Sequence, residues 1–151
     1  MGQIIGILTA MRGHRVYVDT NVFIYFLERH PDFCAAAEPV ILGIHGKQFQ
    51  GMTGEIAVAE TMVGPYRKND PTLIANARHF FGTKDFLTIL AHDKDIFDYA
   101  AQIRARQKMK FVDAVHIATA IHAVCRFFVT NDKTIRSIDS LNIVQLASLL
   151  P

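Results

Sequence analysis

The sequence predicts an α/β fold in which a parallel sheet of about five strands is flanked by helices on both faces. Short runs of β-branched and aromatic residues alternate along the chain with longer apolar segments of helical periodicity. Parallel strands need right-handed crossovers, and these place helices above and below the sheet. Apolar residues make up 50% of the 151 positions, which is enough to bury one core. No internal repeat, low-complexity tract or linker interrupts the sequence, so we expect one main domain.

The first regular element is expected to be a strand at residues 15–19, a short β-branched and aromatic run. It leads directly into residues 22–27, which are too long and apolar for another surface strand and indicate a buried helix. A second helix is expected at residues 31–44. After the stop at Gly46, residues 47–52 are predicted to form the second strand.

The middle of the chain is predicted to hold two helices and a strand. The first helix should span residues 54–63 and end at the Gly64-Pro65 pair, since glycine and proline mark helix ends. A further helix is expected at residues 71–81, and residues 85–90 are a strand candidate.

The last part of the chain should contain two helices and two strands. Residues 92–107 have two acids in the first turn and two arginines in the last, the charge order that a helix dipole favours. Residues 113–125 are predicted to be a helix because apolar residues follow Asp113 on a single stripe that ends at Val124. The remaining strands are expected at residues 126–130 and 142–146.

We divide the chain into a single domain at residues 15–151 and an N-terminal extension at residues 1–14 whose status the sequence leaves open. The apolar start lacks the basic region of a secretory signal and the ~20 residues of a membrane span. Because Met11 could itself begin the domain, the first ten residues are either an extension or a misplaced start. Two cysteines without a Cys-x-x-Cys pair indicate neither a disulfide framework nor a thiolate zinc site. We expect a cytoplasmic protein that does not enter a membrane.

Four carboxylates each lie at an end of an apolar segment: Asp19, Glu60, Asp113 and Asp132. Asp19 and Asp132 follow predicted strands, whose carboxyl ends share the sheet edge where sites of such folds occur. Glu60 shares a helix face with Ile56 and Val63, and Asp113 heads its apolar stripe. Each acid alone has an ordinary explanation as a helix cap, an ion-pair partner or a turn residue. Together they predict one acidic cluster at that edge.

A cluster of this kind is suited to a metal ion. Two charges ~4 Å apart repel by about 4 kcal/mol at an effective dielectric near 20, so several acids would raise each other's pKa or require a cation. Oxygen ligands, without a cysteine or histidine pair at ligand spacing, favour Mg²⁺ or Mn²⁺ over zinc. Such an ion can activate water and neutralise charge developing on a phosphodiester.

Four segments resemble, in order, the acidic motifs of the PIN domain family, and more narrowly those of VapC-type toxin ribonucleases. They are Val-Asp-Thr-Asn at Asp19, Ala-Glu-Thr-Met-Val-Gly-Pro at Glu60, Asp-Ala-Val-His-Ile-Ala-Thr-Ala from Asp113 and Val-Thr-Asn-Asp ending at Asp132. The resemblance runs from about residue 15 to residue 146. It departs from the family pattern at Gly54, where a Ser or Thr cap is commoner, and in the extension before the first strand.

The resemblance implies a PIN-like, Rossmann-like fold and a Mg²⁺-dependent (or Mn²⁺-dependent) endoribonuclease. Three acids would ligate the metal directly: Asp19, Asp113 and Asp132. Glu60 would ligate it through water or help to polarise the nucleophile, and Asn21 and Thr130 would orient the cluster by hydrogen bonds. It further implies an RNA substrate, a homodimer and a cognate VapB-like antitoxin, as in a type II VapBC pair.

The sequence leaves several alternatives open. The same fold could serve as a non-catalytic module that binds RNA or protein, or as a housekeeping ribonuclease without an antitoxin. His116 could be a ligand or proton carrier, or a helix residue packed beside the site. The net charge of +2 is too small to attract a polyanion by itself. A basic run before Asp113 could guide an RNA backbone or be a solvated helix end: Arg104, Arg106, Lys108 and Lys110.

Overall fold

Five short strands form one parallel sheet, as the sequence predicts. They are β1 (Arg15–Val18), β2 (Gln50–Gly54), β3 (Thr88–Leu90), β4 (Phe127–Thr130) and β5 (Asn142–Gln145). The structure is a computed structural model that describes residues 2–151. Neighbouring strands are parallel throughout, in the order β3-β2-β1-β4-β5. The first strand therefore lies at the centre of the sheet, and β4 is its neighbour.

Helices cover both faces of the sheet. They are α1 (Gly2–Met11), α2 (Thr20–Leu27), α3 (Cys34–His45), α4 (Glu55–Lys68), α5 (Pro71–Phe81), α6 (Lys94–Arg106), α7 (Phe111–His122) and a short 3₁₀ helix (Leu146–Leu149). Val16 and Val18 on β1 enter a core shared with α2 and α3. Tyr17, between them, enters a second core with α6 and α7. This alternation of strand side chains confirms the predicted layers on both faces.

Helix α4 does not end at the Gly64-Pro65 pair, so that prediction is wrong. It continues to Lys68, with the Pro65 ring buried inside it. The helix packs between α2 and α5, and this packing outweighs the hydrogen bond that proline cannot donate. The end comes at Asn69, whose left-handed φ of 48° closes the last turn.

The other boundaries shift by a few residues. Strand β2 begins at Gln50 because Lys47 adopts a positive φ, and β3 is shorter than expected because Asp85 does the same. Helix α7 begins at Phe111, so Asp113 lies in its first turn and does not cap it. It ends at His122, and Val124 is 75% exposed in a left-handed conformation. The apolar stripe predicted on this helix therefore stops before Val124.

The N-terminal segment is a helix, a feature that sequence reasoning did not predict. Met11 is fully buried, and Ile4, Ile7 and Leu8 pack against the core that contains Val16. Helix α1 contacts the 3₁₀ helix Leu146–Leu149 at the other end of the chain. None of the helices in residues 2–151 combines the length and the apolar character needed to cross a membrane.

Candidate active site

The four acids singled out in the sequence line one cavity of about 220 Å³ at the carboxyl edge of the sheet. Asp19 follows β1, Asp132 lies just after β4, Glu60 projects from α4 and Asp113 from α7. The remaining lining comes from α2 and from His116. A larger cavity of about 550 Å³ lies elsewhere, beside Gln48 and Phe86, and contains none of the four acids. The fold thus brings together residues separated by more than a hundred positions.

The pKa of Asp113 responds to the other acids at this edge of the sheet. Burial raises the pKa of the Asp113 carboxyl to about 6, and the charges of Asp19 and Asp132 add to the rise. His116 and Lys110 oppose it. In residues 2–151, no group of three or more His, Cys, Asp or Glu side chains has an arrangement that could hold a metal ion.

Both oxygens of Asp19 are held by neighbouring groups. Oδ1 accepts a hydrogen bond from the Thr20 amide at 2.8 Å, and Oδ2 accepts one from Thr130 Oγ1 at 2.7 Å. Asp19 is the N-cap of α2, so the ordinary explanation considered for it also applies. The carboxylate is nevertheless part of the cavity wall. One side chain therefore both starts a helix and presents charge to the site.

Polar side chains hold the segment that contains Asp132 in place by hydrogen bonds. Thr130 Oγ1 accepts a hydrogen bond from the Asp132 amide at 3.0 Å, and Asn21 Oδ1 accepts one from the Asn131 amide at 3.1 Å. Asp132 Oδ1 accepts from the amide and the hydroxyl of Thr134. Asn21 and Thr130 are thus placed to hold the backbone beside the acids. Thr134 belongs to the same arrangement, although sequence reasoning missed it.

Glu60 faces the cavity from a half-exposed position. Its Oε1 accepts hydrogen bonds from Thr20 Oγ1 at 2.8 Å and from His116 Nε2 at 2.9 Å. The bond from His116 is the main reason that the pKa of Glu60 is lowered. Its side chain is 40% exposed and Val63 is 47% exposed, so this helix face borders solvent and is not the apolar face that the sequence indicated.

His116 is the buried link between the acids and the core. It is only 1% exposed, and with the proton on Nε2 its Nδ1 accepts a hydrogen bond from the Tyr17 hydroxyl at 2.8 Å. Burial raises the pKa of Tyr17, which keeps the hydroxyl protonated as a donor. Both ring nitrogens of His116 are therefore engaged. The structure favours the packed position of His116 over that of a free metal ligand.

The start of α4 explains the departure at Gly54. No side chain of Gly54 is available to cap the helix, and the Ile56 amide instead donates to His92 Nε2 at 3.1 Å. A Cβ atom at Gly54 would overlap the His92 ring and approach the Tyr17 hydroxyl to 2.9 Å. His92 Nδ1 in turn donates to Thr119 Oγ1 on α7 at 2.9 Å. A histidine from the β3–α6 loop thus replaces the missing Ser or Thr cap.

The comparisons with known proteins agree with this geometry. The solved structures that share the fold at low sequence identity include toxin–antitoxin proteins. A toxin–antitoxin complex from Klebsiella pneumoniae is 20% identical with a TM-score of 0.65, covering 87% of this chain and 97% of that one. VapBC2 from Rickettsia felis, bound to a DNA fragment of its promoter, is 18% identical with a TM-score of 0.68, covering 87% and 98%.

The third structure is VapC20 from Mycobacterium tuberculosis, described as a toxin that cleaves the sarcin–ricin loop. It is 16% identical with a TM-score of 0.62, covering 75% of this chain and 86% of that one. Curated proteins yield no match to the sequence. The family model of the PIN domain matches residues 16–141, which include all four acids of the cavity. The chain belongs to the PIN domain family.

Proposed function

We propose that the protein is a Mg²⁺-dependent endoribonuclease, the toxin of a type II VapBC toxin–antitoxin pair. The observation that carries this proposal is the convergence of four carboxylates, from four separate segments, on one cavity at the carboxyl edge of the sheet. Enzymes of open α/β sheets form their sites at this edge. Membership of the PIN domain family supports the same assignment.

The donor set fits a hard divalent cation. Burial, and after it the charges of Asp19 and Asp132, raise the pKa of Asp113, and a bound cation would stabilise the ionised carboxylate. We assign Mg²⁺, or Mn²⁺ in its place, to three carboxylates: Asp19, Asp113 and Asp132. When bound, the ion would supply positive charge against the phosphodiester and lower the pKa of an attached water.

The remaining groups of the cavity orient the reaction. Glu60 keeps a lowered pKa through its bond from His116, so it is ionised at neutral pH and can ligate the metal through water or help to polarise the attacking water. Thr20 and His116 both occupy Oε1, which leaves Oε2 for that role. Attack of this water would form one P–O bond and break another; the water would give up a proton to solvent, and the departing sugar oxygen would take one up from solvent. Thr130 and Asn21 would keep the acids in position.

The partners are part of the proposal. The similar structures from Klebsiella pneumoniae and Rickettsia felis are toxin–antitoxin assemblies, and the Mycobacterium tuberculosis protein is described as cleaving the sarcin–ricin loop. By this analogy the chain would cut RNA in the cytoplasm, form a homodimer and be inhibited by a VapB-like antitoxin. Co-purification with the product of a neighbouring short reading frame would support the antitoxin, and its absence would favour a housekeeping ribonuclease.

Asp19→Asn tests the assignment. Asparagine also caps helices well, so α2 should remain folded while one charge of the cavity is lost. We expect RNA cleavage with Mg²⁺ to fall by more than the 10- to 100-fold that is typical of groups which only orient a metal ligand. Asp95→Asn, an exposed acid on α6 outside the cavity, is the matched control and should cleave like the wild type.

Calorimetry with Mn²⁺ separates the enzyme from a non-catalytic module. The wild type should bind the ion and Asp19→Asn should bind it much more weakly. Cleavage at the wild-type rate by Asp19→Asn, or no binding of Mn²⁺ by the wild type at millimolar concentration, would overturn the proposal.

A further inference from the structure

A second cavity adjoins the acidic one and has the opposite charge. Its volume is about 530 Å³, as large as sites that hold whole small molecules. Three cations line one side: Arg104 from the last turn of α6, and Lys108 and Lys110 from the loop before α7. Asp113 and Asp132 line the side that it shares with the acidic cavity. A nucleic-acid strand that leaves the acidic cavity past Asp113 and Asp132 would therefore enter this cationic cavity.

The three cations have no protein partner that would account for them. Throughout the described part of the chain, none of them forms an ion pair with a carboxylate or a side-chain hydrogen bond. All three are exposed, whereas Met109, between the two lysines, is buried and anchors the loop. The overall charge is only +2, so this patch is a local feature. Unpaired cations beside an acidic catalytic edge are suited to an anionic ligand.

The structure also divides the basic run that the sequence presents as one group. Arg106 does not line the cavity, and its Nε donates to the Gln102 carbonyl at 3.4 Å. Arg106 therefore has the same charge and the same helix turn as Arg104 but a different direction.

We infer that the cationic cavity binds the phosphates of an RNA single strand next to the bond being cut, with Arg104, Lys108 and Lys110 as the contacts. This inference rests on the proposed ribonuclease function and names where the substrate backbone runs. Phe111, the residue after Lys110, keeps an exposed aromatic ring. Exposed rings beside cationic grooves are a usual means of holding single strands, because unpaired bases can stack on them.

The test measures the affinity of the full chain for a fluorescein-labelled 12-nucleotide oligouridylate in EDTA. Binding is monitored by fluorescence anisotropy at KCl concentrations between 50 and 300 mM. On a single strand each phosphate contact contributes a salt slope of about 0.7, which amounts to about fivefold in affinity per contact at 0.1 M salt. We expect Arg104→Gln and Lys108→Gln each to weaken binding by about this factor. The double variant should lose about 25-fold and about 1.4 from the salt slope.

Arg106→Gln is the matched control, because it removes the same charge two residues after Arg104, outside the cationic cavity, and it should bind like the wild type. Lys110→Gln is left out of the set because Lys110 also acts on the pKa of Asp113. In cleavage assays with Mg²⁺, the loss of catalytic efficiency in the Arg104 and Lys108 variants should appear as a higher KM.

The outcomes separate this inference from the proposed function. If the wild type cleaves RNA but the double variant binds the oligonucleotide with unchanged affinity and salt slope, the cationic cavity is not the strand path. An equal loss in Arg106→Gln would show a general effect of charge and would also overturn the inference. If the double variant loses binding as expected but the wild type cleaves nothing with Mg²⁺, the strand site stands and the nuclease assignment fails.

Discussion

Asp113 and Glu60 face the same cavity, and their surroundings move their pKa values in opposite directions. Burial and the charges of Asp19 and Asp132 raise the pKa of Asp113 to about 6, whereas the hydrogen bond from His116 lowers that of Glu60. Such a divergence is typical of sites in which two carboxylates take different roles. Asp113 is the carboxylate whose charge a cation would stabilise most, whereas Glu60 stays ionised and can orient a water molecule by accepting its hydrogen bond.

A first prediction concerns the stability of the metal-free protein. The pKa of Asp113 is about 6 in the folded chain against an ordinary 3.8, so ionisation of this group destabilises the fold. That cost is absent below about pH 3.8, grows as the pH rises to about 6 and is constant above. Asp113→Asn removes it. In EDTA, urea denaturation should show the advantage of the variant over the wild type growing between about pH 3.8 and pH 6 and staying constant at higher pH.

Adding Mn²⁺ at pH 7.5 should reverse the order. The wild type gains stability by binding the ion, and Asp113→Asn should gain little. Asp95→Asn serves as the control and should respond to Mn²⁺ like the wild type. A wild type that is as stable as Asp113→Asn at every pH in EDTA would argue against the repulsion inferred here.

At the scale of elements, the start of α4 depends on a residue from another part of the chain. The Ile56 amide donates to His92 Nε2, and His92 Nδ1 donates to Thr119 on α7. His92 thereby joins the helix that carries Glu60 to the helix that carries Asp113. Sequence reasoning noted the missing cap at Gly54 but had no local signal for its replacement.

A second prediction is that His92 and Gly54 are energetically coupled. His92→Ala should cost about 1 kcal/mol, the usual effect of losing a helix cap, in urea denaturation. Gly54→Ser should destabilise the wild type because its Cβ would overlap the His92 ring. In the His92→Ala background the same change should cost much less, since the overlap with the ring is gone, only the 2.9 Å approach to the Tyr17 hydroxyl remains, and serine can cap the helix itself. Additive effects in the double variant would contradict this explanation.

The same histidine makes a pH dependence of its own. Burial lowers the pKa of His92 below its ordinary value of 6.5. The unfolded chain then binds more protons, so the stability from His92 is present above about pH 6.5 and is lost as the pH falls through the folded pKa. The wild type should lose stability over this range relative to His92→Ala, and a constant difference between them would count against the bond to Ile56.

At the scale of the whole molecule, helix α1 joins the two ends of the chain. Ile4, Ile7 and Leu8 pack against the core, and the helix contacts the 3₁₀ helix Leu146–Leu149. Ile5, on the same helix, is 59% exposed. We therefore propose that this segment, which the sequence leaves open as an extension, contributes to the stability of the domain.

A third prediction follows from this packing. Ile7→Ala should lower the melting temperature by about 2–4 °C for each kcal/mol of lost burial, whereas Ile5→Ala should change it little. A chain that starts at Met11 should show a larger decrease, because all three contacts are lost together. Equal melting temperatures for Ile7→Ala and Ile5→Ala in a thermal denaturation experiment would show that α1 does not stabilise the domain.

The layered α/β fold and the four acids could be predicted from the sequence alone, because strand alternation, helical periodicity and the motifs around each acid are local patterns. How these residues are used depends on contacts between distant segments. Thr130 holds Asp19 across 111 positions, His92 caps a helix 36 residues before it, and Pro65 stays inside α4 through packing against other helices. Arg104 lines the cationic cavity, whereas Arg106, in the same turn, bonds the Gln102 carbonyl outside it. Hydrogen-bond partners, burial and side-chain direction depend on distances between remote segments, and those distances exist only once the chain has folded.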